Sequence, residues 1–295
     1  MTVIQAGSMG KAADRLNMFQ PTISKSIADL ELTLGVPLLD RKPRGVEPTE
    51  YGRALLNCGV AVFDELRRGV NNIEFLADPT VGNVRIGCSP YFTGTFVSAV
   101  VDRLSRRYPS IVIDVVAMEA DTMHRELSER NVDFLIARPL GPLAEDQSEF
   151  EMLYDDEFVV VAGAKNPWAR RRKVELAELV NEPWTLPRPG IANGSVFAEV
   201  FRASGLDYPR TTVFARHMEL RAHLLATGRF LTIFSKSVLS FPTRRQELKA
   251  LPIVLPLSRV PLGIITLKNR TLSPLMQIFI DCARQVAKPL GKQSR

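Results

Sequence analysis

The sequence predicts a chain in three parts: a small, mainly helical head with a hairpin wing, one long helix, and an α/β body of roughly 200 residues. Three observations predict this. Apolar residues recur at helical spacing through the first third of the chain. A single apolar seam then runs without a breaker from Thr49 to Ala77. Beyond Val81, short apolar runs alternate with helical segments, the pattern of a parallel α/β sheet. At roughly 100–200 residues per domain, 295 residues make about two domains.

The head begins with Ala6-Gly7-Ser8, a helix stop followed by a cap, after which Met9, Ala12, Ala13 and Leu16 define a helix of about two turns. Asn17-Met18-Phe19-Gln20 interrupts it. Pro21 suits the first position of a second helix, because its missing N–H would be unpaired there anyway. That helix runs to Leu34 with Gly35 as its C-cap, and Ile23, Ile27, Leu30 and Leu34 form its inward stripe. Two helices joined by a short break, the second with a polar N-terminal face, make a helix-turn-helix candidate. Pro37 to Thr49 reads as two short extended pieces around a Pro-Arg-Gly tip, a wing bearing Arg41, Lys42 and Arg44.

Thr49 caps the long helix, which Asp78-Pro79 ends. Along it Tyr51, Leu55, Val62, Leu66, Val70 and Ile73 recur at helical spacing, which a small head cannot cover, so the seam is expected to dimerise the chain, the alternative being that it packs within the chain. In the body, strands are expected at Val84–Cys88, Val112–Ala117, Phe134–Ala137, Phe158–Ala162, Trp184–Pro187, 211–215, 230–234 and 262–267. Helices fall near 95–107, 120–130, 194–204, 217–227 and 273–288.

Composition excludes several classes. With 45% hydrophobic and 24% charged residues the chain can bury a sizeable core, and no apolar run approaches the roughly 18 residues that span a bilayer. No membrane role is expected. The first ten residues carry no positive charge, the reverse of a secretory leader, so a cytoplasmic protein is expected. Cys58, Cys88 and Cys282 are odd in number and lack Cys-x-x-Cys spacing, and the three histidines form no ligand set, so no disulfide framework, metal or cofactor is expected. The net charge of +6 does not locate a nucleic-acid site, since residues 1–80 carry nine basic and ten acidic residues.

No nucleophile elbow, Walker loop, Gly-x-Gly-x-x-Gly or His-Glu-x-x-His is present, so the chain is not expected to be an enzyme. Asp155-Asp156 reads as a solvated strand end. In open α/β sheets, ligands sit beyond the carboxyl ends of strands, which points to Ser89, Tyr91 and Thr93. Ser89 and Thr93 are equally good as helix caps. Arg138 at a strand end is a ligand clamp or a structural ion pair, and Pro187, Arg188, Pro189 and His217 complete the candidate small-molecule site.

Ala6-Gly7-Ser8, Ala12-Ala13, Leu16, Gln20-Pro21, Ser24, Ile27, Leu30-Glu31, Leu34-Gly35, Leu38, Arg41 and Thr49-x-x-Gly52 resemble the helix-turn-helix of LysR-type transcriptional regulators, and the likeness extends over nearly the whole chain. Gly163 to Pro167, Leu225 to Gly228 and Thr266 to Arg270 look most like the branch containing the galactose-binding-protein regulator. The resemblance implies a winged helix-turn-helix over 1–52 and a linker helix over 53–80. It also implies a two-lobed, periplasmic-binding-protein-like effector domain over 81–295. Lobe one would comprise about 82–161 and 262–290, lobe two about 162–261, with two crossover strands as hinges.

The resemblance implies a dimer or tetramer on double-stranded promoter DNA, modulated by a small molecule between the lobes; a sugar, a sugar acid and an aromatic acid stay open, as does contact with RNA polymerase. Gln20, Pro21, Thr22, Ser24 and Lys25 would enter or flank the major groove, and Arg41, Lys42 and Arg44 would meet phosphates. The rival expectation is a solute-binding protein, or an enzyme on the same two-lobed fold, with a dimerising helical segment. Two departures stand out. Phe19 replaces the serine that usually caps the recognition helix, and only Met1 to Gln5 precede Ala6-Gly7-Ser8, so the first helix is expected to be truncated by a start assigned too late.

Overall fold

The computed structural model describes residues 1–42, 45–139, 147–241, 247–268 and 270–292. The chain divides into two compact units, Met1–Ile73 and Glu74–Arg295. In the first, α1 (Thr2–Ala6) ends at Gly7, whose φ of 71° is the left-handed conformation a helix C-cap requires. Ser8 caps α2 (Met9–Leu16) by accepting the Lys11 N–H at 3.2 Å. α3 (Gln20–Leu34) follows, with Pro21 in its first turn and Gly35 as its left-handed C-cap. Val3, Ala6, Met9, Ala12, Ala13 and Ile23 form the core of this unit.

The expected inward stripe of α3 is realised only in its first half. Ile23 is buried, but Leu30 and Leu34 are 42% and 47% exposed. The reason is that α2 is only eight residues long, so α3 outruns its partner, and the second half of α3 is anchored by a polar contact instead. Glu31 accepts the backbone N–H groups of Leu38 and Leu39, at 2.7 and 3.1 Å, and so fixes the start of the wing. The wing is the antiparallel pair β1 (Leu39–Lys42) and β2 (Gly45–Pro48). Thr49 caps α4 (Glu50–Ala77) as expected, its hydroxyl accepting from Gly52 N and donating to Pro37 O.

The second unit contains β3 (Val81–Cys88), α5 (Pro90–Phe92), a π-helical turn (Thr93–Val97), α6 (Ser98–Arg107), β4 (Ser110–Ala117), α7 (Ala120–Ser128) and β5 (Phe134–Ala137). There follow β6 (Ser148–Gly163), β7 (Trp184–Leu186), α8 (Ala192–Ala203), β8 (Thr211–Phe214), α9 (Met218–Ala226), β9 (Leu231–Ser235), α10 (Lys236–Leu239), β10 (Leu248–Ala250), β11 (Arg259–Leu267) and α12 (Pro274–Lys292). The strand order is β4-β3-β5-β11-β6-β9-β7-β8, with β10 on β6.

The expectation of an all-parallel sheet is corrected here. β3 pairs in parallel with β4 and β5, and β7 with β8 and β9, but β11 is antiparallel to both β5 and β6, and β6 to β9. β6 is also far longer than the five residues its apolar run marks. Its first ten residues pair with β11 and its last six with β9 and β10. Four core clusters result among the described residues of this unit, the two largest around Phe92, Phe96, Phe134 and Phe279 and around Phe158, Trp184, Phe197 and Phe201. β6 and β11 run side by side from one to the other, and burying each such aromatic contributes about 1.5–3 kcal/mol.

Candidate functional site

In the N-terminal unit the break between α2 and α3 exposes the first turn of α3. Gln20, Pro21, Thr22 and Lys25 face solvent, and Ser24 is half-buried. Phe19 occupies the N-cap position with the extended backbone a cap needs, but makes no side-chain cap bond, and the residue is 83% exposed. The absence of a side-chain cap follows from the residue type, since a phenyl ring accepts no N–H bond of this kind. Lys42 on the wing is exposed and paired with Glu47, which raises its pKa through the hydrogen bond and the carboxylate charge. Arg41 lies in β1 opposite Val46, and Arg44 lies outside the described residues.

An apolar groove of about 730 Å³ opens beside this unit's core, lined among others by Leu16, Ile27, Leu30, Leu55 and Phe63. Ala12 and Ile23 are nevertheless buried. Along α4 the expected seam is solvent-exposed in the single chain: Val62, Leu66, Val70 and Ile73 are all more than half exposed.

The second unit holds a cavity of about 40 Å³ where the two largest core clusters meet. Ser89, Tyr91 and Arg138 line it, as the sequence suggests; Thr93, Pro187, Arg188, Pro189 and His217 do not. The Thr93 hydroxyl donates to Pro90 O, Pro187 O accepts from Tyr208, the Arg188 guanidinium stacks 4.7 Å from the Phe214 ring centre, and His217 stands exposed at the N-cap of α9. The remaining walls include Phe92, Glu119, Asn193, Phe197, Phe234 and Ser235.

Bonds run from one side of the cavity to the other. Arg138 at the end of β5 donates to Asp156 of β6 at 3.0 Å and to Ser235 at the end of β9 at 2.5 Å, with its face 4.4 Å from the Phe158 ring centre. Asp156 is 2% exposed and also accepts from the hydroxyl of Ser237 and the N–H groups of Glu157 and Ser237. It is therefore not the solvated strand end its sequence suggests, because a buried guanidinium balances it. Tyr91 donates to Arg216 O at 3.0 Å, and Arg216 pairs with Glu119 at 3.0 Å. Burial pushes the Arg138 guanidinium below its ordinary pKa, and the Asp156 charge opposes that shift.

Arg221 on α9, which the sequence reading passed over, is the other fully buried cation in this region. It donates to Thr232 Oγ1 and Ile233 O, approaches the Tyr91 hydroxyl at 3.4 Å and lies over the Phe234 ring at 4.7 Å. Burial likewise lowers its pKa.

Known proteins align with this arrangement along the whole chain. Residues 1–53 match the model for the bacterial regulatory helix-turn-helix protein, lysR family, and residues 77–288 match the LysR substrate binding domain. The chain is 27% identical over 268 residues to the transcriptional regulator GbpR of Azospirillum brasilense, covering 90% of this chain and 78% of the relative. It is 24% identical to TdcA of Escherichia coli, over 99% of this chain and 93% of that protein. Among solved structures, ArgP from Mycobacterium tuberculosis aligns with a TM-score of 0.71 at 20% identity, covering 97% of this chain and 94% of that one. Full-length CbnR in complex with its target DNA aligns at 0.57 and 21% identity, over 97% and 96%. With both of its parts matched, the chain belongs to the LysR family of transcriptional regulators, a helix-turn-helix joined to an effector-binding domain.

Proposed function

We propose that this regulator reads a two-fold-related promoter site through α3, with Gln20, Pro21, Thr22, Ser24 and Lys25 at or beside base edges and Arg41, Lys42 and Arg44 on phosphates. In this reading residues 1–52 are the DNA-binding head, 53–80 the dimerising linker and 81–295 the effector domain. Its lobes are 82–161 with 262–290, and 162–261. The seam on α4 pairs two chains, and pairs assemble into a tetramer that works in the cytoplasm, in contact with RNA polymerase. A small molecule bound between the lobes acts only through its differential affinity for their arrangements, and it performs no chemistry there.

The observation that carries the reading is the exposed polar first turn of α3 in a helix-turn-helix unit that also carries an antiparallel wing. Retention of fragments of the source genome at two salt concentrations tests it, because phosphate binding fades with salt while a specific complex keeps its advantage over random DNA. Gln20→Ala is expected to cost about 1–3 kcal/mol of discrimination with little loss on random DNA, and Arg44→Ala to weaken both about equally. Equal losses on specific and random DNA for Gln20→Ala exclude the base-reading role.

A further inference from the structure

The cleft of the effector domain buries more positive charge than its own carboxylates balance. Arg138 is matched by Asp156, and at the rim Arg216 is matched by Glu119. Arg221 is 0% exposed and has no carboxylate partner among the described residues. Its hydroxyl, carbonyl and aromatic neighbours satisfy its N–H groups and its face, but none carries a formal charge. A buried, unmatched guanidinium is costly, and proteins retain one where an anion completes the pair. Tyr91, Phe197 and Phe234, which surround Arg221, all line the cavity, so its charge lies one side chain behind the wall.

Two polar groups on the wall are also incomplete. Arg138 Nε is buried without an acceptor, and Asn193 Oδ1 is buried without a donor. A carboxylate oxygen supplies the acceptor that Arg138 Nε lacks, and the Asn193 amide, turned end for end, offers its NH2 to the same ligand. Around these groups Phe92, Met123, Phe158 and Phe234 give the wall an apolar part, beside the polar Ser89, Glu119 and Ser235. A neutral polyhydroxyl ligand could bond to those polar groups but leaves Arg221 unbalanced.

We propose that the effector is a small monocarboxylate with an apolar body, its carboxylate against the free edge of Arg138 and its charge balanced by Arg221. This rests on the cleft being the effector site. With about 40 Å³ of space in the cavity, such a ligand needs more room than this arrangement gives, and the Tyr91–Arg216 and Glu119–Arg216 contacts are the ones whose parting would widen it.

The test uses the full chain and matched pairs, benzoate against benzamide and propanoate against propanamide, with gluconate and glucose alongside, read as affinity by equilibrium dialysis. The expected result is that at least one of the two apolar acids binds about tenfold or more tightly than its amide and than gluconate. Arg221→Met reduces that preference below about threefold, and Arg221→Lys keeps it. Amides that bind as well as their acids, glucose or gluconate bound ahead of both apolar acids, or no acid bound at all would overturn the proposal. So would a full preference retained in Arg221→Met. If Arg221→Met does not fold, the acid–amide comparison on the unaltered protein decides alone. Promoter retention is measured with and without the acid. Selective retention without acid binding overturns the ligand class and leaves the regulator intact; acid binding without any DNA retention supports the ligand class and refutes the DNA reading.

Discussion

Replacing Asp156 with alanine removes the only carboxylate bonded to Arg138 among the described residues and leaves a guanidinium that is 5% exposed by its side chain. Removing one partner of a buried pair costs about 3–5 kcal/mol, because the remaining charge stays desolvated. Asp156 also accepts three bonds from Ser237 and the Glu157 backbone, so the upper half of that range applies. Replacing both partners, as Arg138→Met with Asp156→Leu, removes the charges together and is expected to cost less than either truncation alone. The assay is denaturant unfolding followed by tryptophan fluorescence. It reports this unit specifically, since both tryptophans, Trp168 and fully buried Trp184, lie within Glu74–Arg295. At roughly 2–4 °C per kcal/mol for a unit of this size, Asp156→Ala lowers the melting temperature by about 10 °C or more. A cost below about 1 kcal/mol, or losses that simply add in the double variant, would refute the claim that the two charges hold each other.

Gly52→Ala drives a Cβ into the Leu38 carbonyl oxygen where wing and α4 meet, so DNA binding and the head's melting temperature fall while tryptophan fluorescence of the other unit is unchanged; a gain of head stability would contradict this packing. Leu66→Glu with Val70→Glu places charge in the exposed α4 seam and is expected to yield monomers by sedimentation velocity, whereas an unchanged assembly would move the interface elsewhere. Burial pushes the Cys88 thiol up to about 12, so at pH 8 a thiol reagent modifies exposed Cys58 and spares Cys88 until the protein is denatured. Because the folded protein keeps the Cys88 proton that the unfolded chain loses, stability due to this group is full below the unfolded thiol pKa. It declines by about 1.4 kcal/mol per pH unit from roughly pH 9 toward 12. In Cys88→Ala, that part of the alkaline slope disappears.

Local signals were legible and nonlocal ones were not. The Gly7 stop, the Ser8 and Thr49 caps, the Gly35 C-cap and the wing each depend on residues within a few positions, and each formed as expected. The first ten residues of β6 were invisible because Ser148 to Glu157 is rich in acids and its partner strand, β11, begins only at Arg259. The direction of that pairing, and with it the mixed sheet, is likewise a long-range choice. Asp156 could not be recognised as buried, since the groups that balance it, Arg138 and Ser237, stand 18 and 81 residues away. Arg221 carries no local mark either: it sits between Leu220 and Ala222 in a short helix, and only the fold surrounds it with Tyr91, Phe197 and Phe234.

The 40 Å³ of space in the cleft has a consequence for time as well as for affinity. That space is enough for a few water molecules. If the proposed acid binds there, it would wait for the contact of Tyr91 with Arg216 to part, and the observed binding rate would level off with ligand concentration at the frequency of that opening. Below that plateau the proposed regulator would follow the abundance of its effector; above it, the delay before transcription responds would be a property of the protein alone.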